Sequence, residues 1–468
     1  MFELHHLTAT EQLDWLRRGD VSVTELVSHY LERIARLDDG LGAFATVRPD
    51  AAIARARLVE GAVPRASALW GLPTAEKDLW MRRGARTTFG SRAFEHHVPD
   101  VSDDIVDVLD EAGAVSVGST TSPEFGLSSA SENLVGAPAR LPWDVRLSPG
   151  GSSAGAAVAV SAGLLPVAPA SDGGGSIRIP AAASGLVGLK PSRGRVPAGS
   201  GFTSLAGLVA YGPIARTVAD AGLMLDAIAG PSPWSVGPPG GDDGPWLGAA
   251  VRGEGRFQIG VLTDSPWDES IDIVVSPEAR DALDGAITEL AAIGHGLDDL
   301  TLDPQPYGEH FRVIWQTSAA TIPVHGPELD RLEPLTRWLV ARGRELGAER
   351  LAEALGWLAR YERSLIARFA PFDAVLTPAL ALPPRPLGWY DTEDAERNFV
   401  QQCQYTPWTS FVNVAGLPAI VLPVGQTSDG LPMGVQLIGR PGREDVLLSI
   451  GAQLERRLGW QRRHPPQW

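Results

Sequence analysis

Apolar residues at Leu13, Leu16, Val23, Leu26, Val27, Tyr30, Leu31 and Ile34 recur at the spacing of a helix face, predicting two helices over residues 10–37 parted at Gly19. Strand-like apolar runs follow: AVSVGS from Ala114, LLPVAPA from Leu164, FQIGVLT from Phe257, FDAVLTPA from Phe372 and PAIVLPVG from Pro418. Helical patterns lie between most of them, and this alternation predicts an α/β layer architecture. The stretch IVLPVGQTSDGLPMGVQLIG reads as a hairpin turning at Ser428-Asp429-Gly430, so a mixed sheet is expected rather than a purely parallel one. Residues 231–256 are dense in Pro and Gly and read as a long surface connection. Residues 308–370 read as helical and carry Phe311, Trp315, Trp338 and Trp357.

Composition narrows the function classes. The 468 residues are 44% apolar, enough for a large core. A formal net charge of -16 argues against a nucleic-acid surface, which needs clustered Lys and Arg. One cysteine, Cys403, excludes an intramolecular disulfide and a Cys-rich metal site. The start MFELHHLTATEQ has acids and histidines where a signal peptide has a basic start and an apolar run. The weakly polar run from Ala154 spans 17 residues and holds two prolines, too short for a bilayer. A cytoplasmic protein with no membrane partner is expected. Of the 40 basic residues only Lys77 and Lys190 are lysines. Lysine can lose its proton when buried and arginine cannot, so Lys77, in TAEKDLW, is either a proton acceptor or an accident of composition.

Chemistry concentrates between Ser148 and Pro191, where two clusters, GGSSAG and DGGGSIR, flank an apolar helix and strand. Glycines before a serine let consecutive backbone N–H groups converge on a developing oxyanion. Neither cluster ends in the GK[ST] of a phosphate-binding loop. The nine histidines show no HExxH spacing, so no metal and no cofactor is expected. Gly151 to Gly155 matches G-x-S-x-G with Ser153 as nucleophile, but the preceding WDVRLSPGG lacks the buried strand such an elbow needs. A Gly-rich helix start with capping serines is the purely structural alternative. The remaining chemistry is a serine nucleophile served by a desolvated, neutral lysine.

These residues resemble the amidase signature family. The likeness is carried by PWDVRLSPGGSSAGAAVAVSAGLLPVAPASDGGGSIRIPAAASGLVGLKPSRGRV, with GLPTAEKDLW, GSTTSPEFG, YGPIART and VAGLPAIVLPVGQTSDGLPMGVQLIGRPGRED around it. It implies one amidase signature domain over residues 1–468, with a large twisted mixed β-sheet covered by helices on both faces, and a variable helical region over 300–410 that contributes to the substrate pocket. It also implies a Ser-cisSer-Lys triad of Lys77, Ser152 and Ser176, with separations of 75 and 24 residues. Ser176 would be the nucleophile and form an acyl-enzyme, Ser152 the proton bridge behind a cis Gly151-Ser152 peptide, and Lys77 the base. The N–H groups of Gly173, Gly174, Gly175 and Ser176 would form the oxyanion hole. Ser153 would orient the network, Asp172 and Arg178 would brace the loop as an ion pair, and Lys190 would be structural.

The resemblance leaves the substrate open. Family members include cyclic-dimer hydrolases of nylon oligomers, aryl acylamidases and urethanases, and all share the triad. The expected pocket draws on Phe125, Gly126, Leu127, Ser128 and Ser129, on residues 199–208, and on Phe311, Ile314, Trp315, Trp389 and Tyr390. Such a lining favours a small hydrophobic or aryl amide, with ester and carbamate hydrolysis beside it. Ser171 stands where the family often has Thr. Val209, Ala210 and Tyr211 replace the polar pair of glutamine amidotransferase-type subunits. The non-enzymatic alternative is a non-catalytic amidase-like binding scaffold. Family members are commonly dimers, which makes a homodimer the candidate assembly.

Overall fold

The computed structural model describes residues 3–197, 204–230 and 244–468. The two helices expected around Gly19 are Ala9–Arg18 and Val23–Leu41. Gly19 closes the first in the left-handed region, at φ 79°. Ser22 opens the second with a capping box, its hydroxyl accepting from Glu25 N–H while Glu25 reaches back.

Among the described residues eleven strands form two sheets. They are β1 (Phe44–Val47), β2 (Pro73–Lys77), β3 (Val115–Thr120), β4 (Val167–Asp172), β5 (Val187–Lys190), β6 (Ala210–Ala215), β7 (Gln258–Leu262), β8 (Gly296–Leu300), β9 (Ala374–Pro378), β10 (Ala419–Gln426) and β11 (Pro432–Gly439). The small sheet runs β1-β3-β2 and the large one β4-β6-β5-β10-β11-β9-β7-β8. Pairing is parallel for β2–β3, β7–β8 and β7–β9 and antiparallel elsewhere, so the sheet is mixed. The β10–β11 hairpin turns through Gly430 at φ 82°.

Helices cover both faces of the large sheet, as alternation along β10 demonstrates. Val421 joins the cluster of Ala182 and Ala183 from helix Arg178–Ser184. Its neighbours Ile420 and Leu422 point the other way, toward Gly451 of helix Glu444–Leu458. A second core, rich in aromatics, gathers Trp267, Tyr307, Phe311, Phe399 and Trp408.

One segment differs from expectation. Within 231–256, residues 231–243 lie outside the described residues, and Trp246–Arg252 is a helix that buries Trp246, Ala249 and Ala250. That part is packed structure, because its apolar residues share one helix face. The 300–410 region supplies helices Tyr307–Ala320, Pro334–Glu345, Ala348–Phe369 and Ala395–Tyr405, and its apolar run from Phe372 forms β9 of the large sheet, as expected. Among the described residues no helix is long and apolar enough to cross a membrane.

Candidate active site

Lys77 is the last residue of β2, paired in register with Thr120 at the end of β3. Its side chain is wholly buried. Ser152 and Ser153 lie in the turn before helix Ala154–Ser161, all eight residues of which are buried. That helix start abuts β3, with Gly155 N–H donating to Thr121 O at 2.9 Å. A Cβ on Gly155 would lie 2.1 Å from Ala43 O and 2.4 Å from Thr121 N, so only glycine permits this approach.

The lysine amine meets three hydroxyls: Ser152 Oγ at 2.7 Å, Ser153 Oγ at 3.0 Å and Ser171 Oγ at 3.1 Å. The Ser153 hydroxyl donates to Ser171 O at 3.1 Å, so its oxygen is fixed as an acceptor for the amine. The Gly151-Ser152 peptide is cis. Burial pushes the Lys77 amine down to about 7, against the pull of the Asp172 carboxylate. No carboxylate is in salt-bridge contact with the amine among the described residues.

The second cluster follows β4. Asp172 closes the strand and Gly173 to Ser176 form the turn into helix Arg178–Ser184. Asp172 accepts from Arg178 Nε and Nη2, both at 2.9 Å, and from Asn413 Nδ2 at 2.9 Å. Burial pushes its carboxyl up, but Arg178, Lys190 and Asn413 outweigh this and hold it well below the usual carboxylate range. Arg178 also donates to Gln436 Oε1 and Asn413 Oδ1, both at 2.6 Å, so the buried pair is tied into β11 and helix Ser410–Val414. Lys190 donates to Pro191 O at 2.8 Å. It too is buried and pushed down to about 7 by desolvation and the Arg178 charge, against Asp172.

Asp172 also narrows the set of backbone donors. Gly175 N–H is committed to Asp172 Oδ1 at 2.7 Å, so the expected oxyanion donor at Gly175 is occupied. Gly173, Gly174 and Ser176 N–H make no hydrogen bond within the described residues and border the cleft. Gly175 instead serves the turn. Its φ is 137°, and a Cβ there would meet Thr409 Oγ1 at 2.6 Å. Ser176 Oγ makes no hydrogen bond to Ser152, although both serines line one cleft.

Two chambers meet at Ser176. A wide cleft of about 640 Å³ includes Ser152, Ser171, Phe125, Tyr211 and Trp315 in its wall, with 204–208 of the expected loop. Residues 199–203 lie outside the described ones. A narrow chamber of about 60 Å³ is walled by Trp267, Phe311, Trp315 and Phe399, with Ser128, Ser129, Cys403 and Ser410 around them. Gly126 and Leu127 border both. Phe125 and Ala206 take φ values of 50° and 57°, an uncommon left-handed conformation for residues with a Cβ.

Several expected residues sit elsewhere. Ile314 is fully buried in the aromatic core and touches neither chamber. Its position on helix Tyr307–Ala320 turns it inward, while Phe311 and Trp315, four residues apart, share the chamber face. Tyr390 stands behind the wall, 2.9 Å from Ser129 Oγ, and Trp389 packs beside it. The sequence reading missed Ser171 as a partner of Lys77, along with Asn413, Trp267, Phe399 and Ser410. Strand alternation offers a signal for Ser171: if Asp172 faces Arg178, the preceding side chain faces the other way. A separate cavity of about 600 Å³ bordered by Asp264, Asp303 and Arg368 contains none of the expected residues. Glu3, His5 and His29 bring possible metal-ligand atoms within 4.8 Å of one another, and share no residue with this site.

A mixed sheet with a buried lysine facing two Gly/Ser clusters defines a class, the amidase-type hydrolases of carbon–nitrogen bonds. The family model for amidase matches residues 25–448, and the chain belongs to the amidase signature family, enzymes that hydrolyse amides. It is 37% identical over 480 residues to the putative amidase AmiB2 of Mycobacterium tuberculosis, covering 98% of this chain and 97% of that one. It is 32% identical over 490 residues to a glutamyl-tRNA(Gln) amidotransferase subunit of Geobacter metallireducens, covering 98% of each. Its fold is similar to that of 6-aminohexanoate cyclic dimer hydrolase solved with substrate, at a TM-score of 0.91 and 29% identity over 100% of both chains.

Proposed function

We propose that the enzyme cleaves small, uncharged, hydrophobic or aryl amides through an acyl-enzyme on Ser176, with Ser152 as proton bridge and Lys77 as base. The observation that carries this reading is the wholly buried Lys77 amine, held among three serine hydroxyls without a direct carboxylate partner and pushed down to about 7. Such an amine is neutral often enough near neutral pH to accept a proton.

In acylation Ser176 Oγ attacks the carbonyl carbon, its proton passing through Ser152 to Lys77. The carbonyl oxygen gains the charge and accepts from the free N–H groups of Gly173, Gly174 and Ser176. The ammonium of Lys77 then returns the proton through Ser152 to the amide nitrogen, the C–N bond breaks and the amine leaves. Water repeats the attack and restores Ser176. The leg from Ser176 to Ser152 requires the nucleophile's hydroxyl to turn toward Ser152, a contact that commonly tightens only with substrate bound.

Ser152 borders the wide cleft and not the narrow chamber. Since Ser152 must reach the departing nitrogen, the amine side of the substrate occupies the wide cleft and the acyl side the narrow chamber. None of the described residues bordering either chamber is charged. Burying an unpaired carboxylate or ammonium there would be costly, which supports neutral substrates. The same relay can open an ester or a carbamate, and the uncommitted wide cleft supports both.

The test is hydrolysis of one aryl alkyl amide with its matched ester and carbamate, using Ser176→Ala as the blank. Turnover of the amide by wild type and none by the variant is expected, with the rate ratios assigning the leaving-group class. Equal turnover by both proteins, or silence of both on all three substrates, overturns the reading.

A further inference from the structure

Ser410 begins a short helix, Ser410–Val414, and lies almost fully buried at the wall of the narrow chamber. Its hydroxyl oxygen takes two hydrogen bonds, from Trp267 Nε1 at 3.2 Å and from the Tyr307 hydroxyl at 2.8 Å. An indole N–H can only donate. The cluster therefore holds three donor protons, those of Trp267, Tyr307 and Ser410, for two oxygens.

The Ser410 and Tyr307 hydroxyls can share only one hydrogen between them, so one hydroxyl hydrogen has to point outside the cluster. If Ser410 gave its proton to Tyr307, the phenolic proton would be stranded, because Tyr307 is fully buried and borders neither chamber. A stranded buried donor carries the full desolvation penalty. With Tyr307 donating, both bonds to the Ser410 oxygen are satisfied and the serine proton is the one left over. Ser410 Oγ donates to no acceptor within the described residues, and its open side is the chamber. Two neighbouring polar side chains already make hydrogen bonds of their own. Gln402 accepts from Ser129 N–H at 3.0 Å and donates to Asn398 Oδ1 at 2.7 Å, and Thr406 donates to Gln402 O at 3.1 Å.

The position matters as much as the proton. A Cβ built on Gly174, in the oxyanion turn, would lie 4.0 Å from Ser410 Cβ. The donor thus stands beside the place where the scissile carbonyl binds, in a chamber whose large side chains are Trp267, Phe311, Trp315 and Phe399.

We infer that Ser410 is a specificity residue that donates a hydrogen bond to an oxygen in the acyl arm of the substrate, close to the scissile carbonyl. The preferred acyl groups are then small and neutral and carry an ether, alkoxy or carbonyl oxygen where a plain hydrocarbon chain has a methylene. This rests on the assignment of the narrow chamber to the acyl side.

The test compares methoxyacetanilide with butyranilide, which have nearly the same shape and differ by oxygen for methylene. The kcat/KM ratio of the two is measured for wild type and Ser410→Ala. Inductive activation by the oxygen is common to both proteins and cancels. The ratio is expected to fall about threefold to tenfold in the variant, the worth of one neutral hydrogen bond. Ser410→Cys keeps the shape with a weak donor and reads the same way if the alanine variant does not fold. Tyr307→Phe removes a donor to Ser410 but not the serine's own proton, and retains the preference. An unchanged ratio in a Ser410 variant that still turns over both anilides overturns this inference alone. Loss of the preference in Tyr307→Phe overturns it as well. Silence of wild type on both anilides removes it together with the proposed function.

Discussion

A lysine can act as base only while it lacks a proton, and for Lys77 burial supplies that condition at a stability cost. In the unfolded chain the amine titrates near 10.5, in the folded one near 7. Between these values the unfolded state holds a proton that the native state does not, so this group makes stability rise with pH from about 7 to about 10.5. Activity follows the folded value. The kcat/KM for an amide is expected to climb through about pH 7 and then level, and a profile flat down to about pH 5 would contradict the neutral-lysine role. Lys77→Ala should lower amide hydrolysis by about 100-fold to 10,000-fold and activated-ester hydrolysis by less, since a good leaving group needs no proton. Equal losses would count against it. At this scale much was readable in the sequence: only two lysines stand in the chain, and one precedes two Gly/Ser clusters. The occupied Gly175 N–H was not, because it depends on the turn that folds Asp172 back on its own loop.

The elements that carry the site differ in how openly they announce themselves. Strands β3, β7, β9 and β10 are short apolar runs and are legible as such. Strand β2, which ends in Lys77, reads Pro-Thr-Ala-Glu-Lys, all five residues buried, with no apolar pattern at all. Its burial comes from its place against β3 and from arginines that satisfy Glu76, among them Arg48 at 2.6 Å. Such partners come from distant segments and leave no local signal. The helix Ala154–Ser161 is small-sided and apolar on every face, which fits total burial but does not say against what. Its contact with backbone at Ala43 and Thr121 gives a direct test. Gly155→Ala should cost about 1–3 kcal/mol or more in chemical denaturation, since backbone atoms cannot swing aside as side chains do. A variant of wild-type stability would show that the helix start has room to shift.

Across the whole molecule, the loop that walls the wide cleft is fastened to the later helices by a pair of acids. Glu124, next to Phe125, accepts from Glu333 N–H at 2.8 Å and from Ser91 Oγ at 2.6 Å, and Glu333 immediately precedes helix Pro334–Glu345. Glu333 Oε1 is buried without a partner, and burial and the Glu124 charge push its carboxyl up to about 8. For an acid raised in the folded state, stability falls as pH climbs from about 4.5 to about 8. Glu333→Gln should therefore melt above wild type at pH 8.5 and level with it near pH 5, and a gap that ignores pH would exclude this cause. The burial of both lysines reaches beyond catalysis. With Lys77 and Lys190 at most 1% exposed and no other lysine in the chain, the folded surface offers no side-chain amine. Succinimidyl dyes and aldehyde crosslinkers would find no ε-amine to attack until the fold opens, so attachment of this enzyme to a support cannot rely on its lysines.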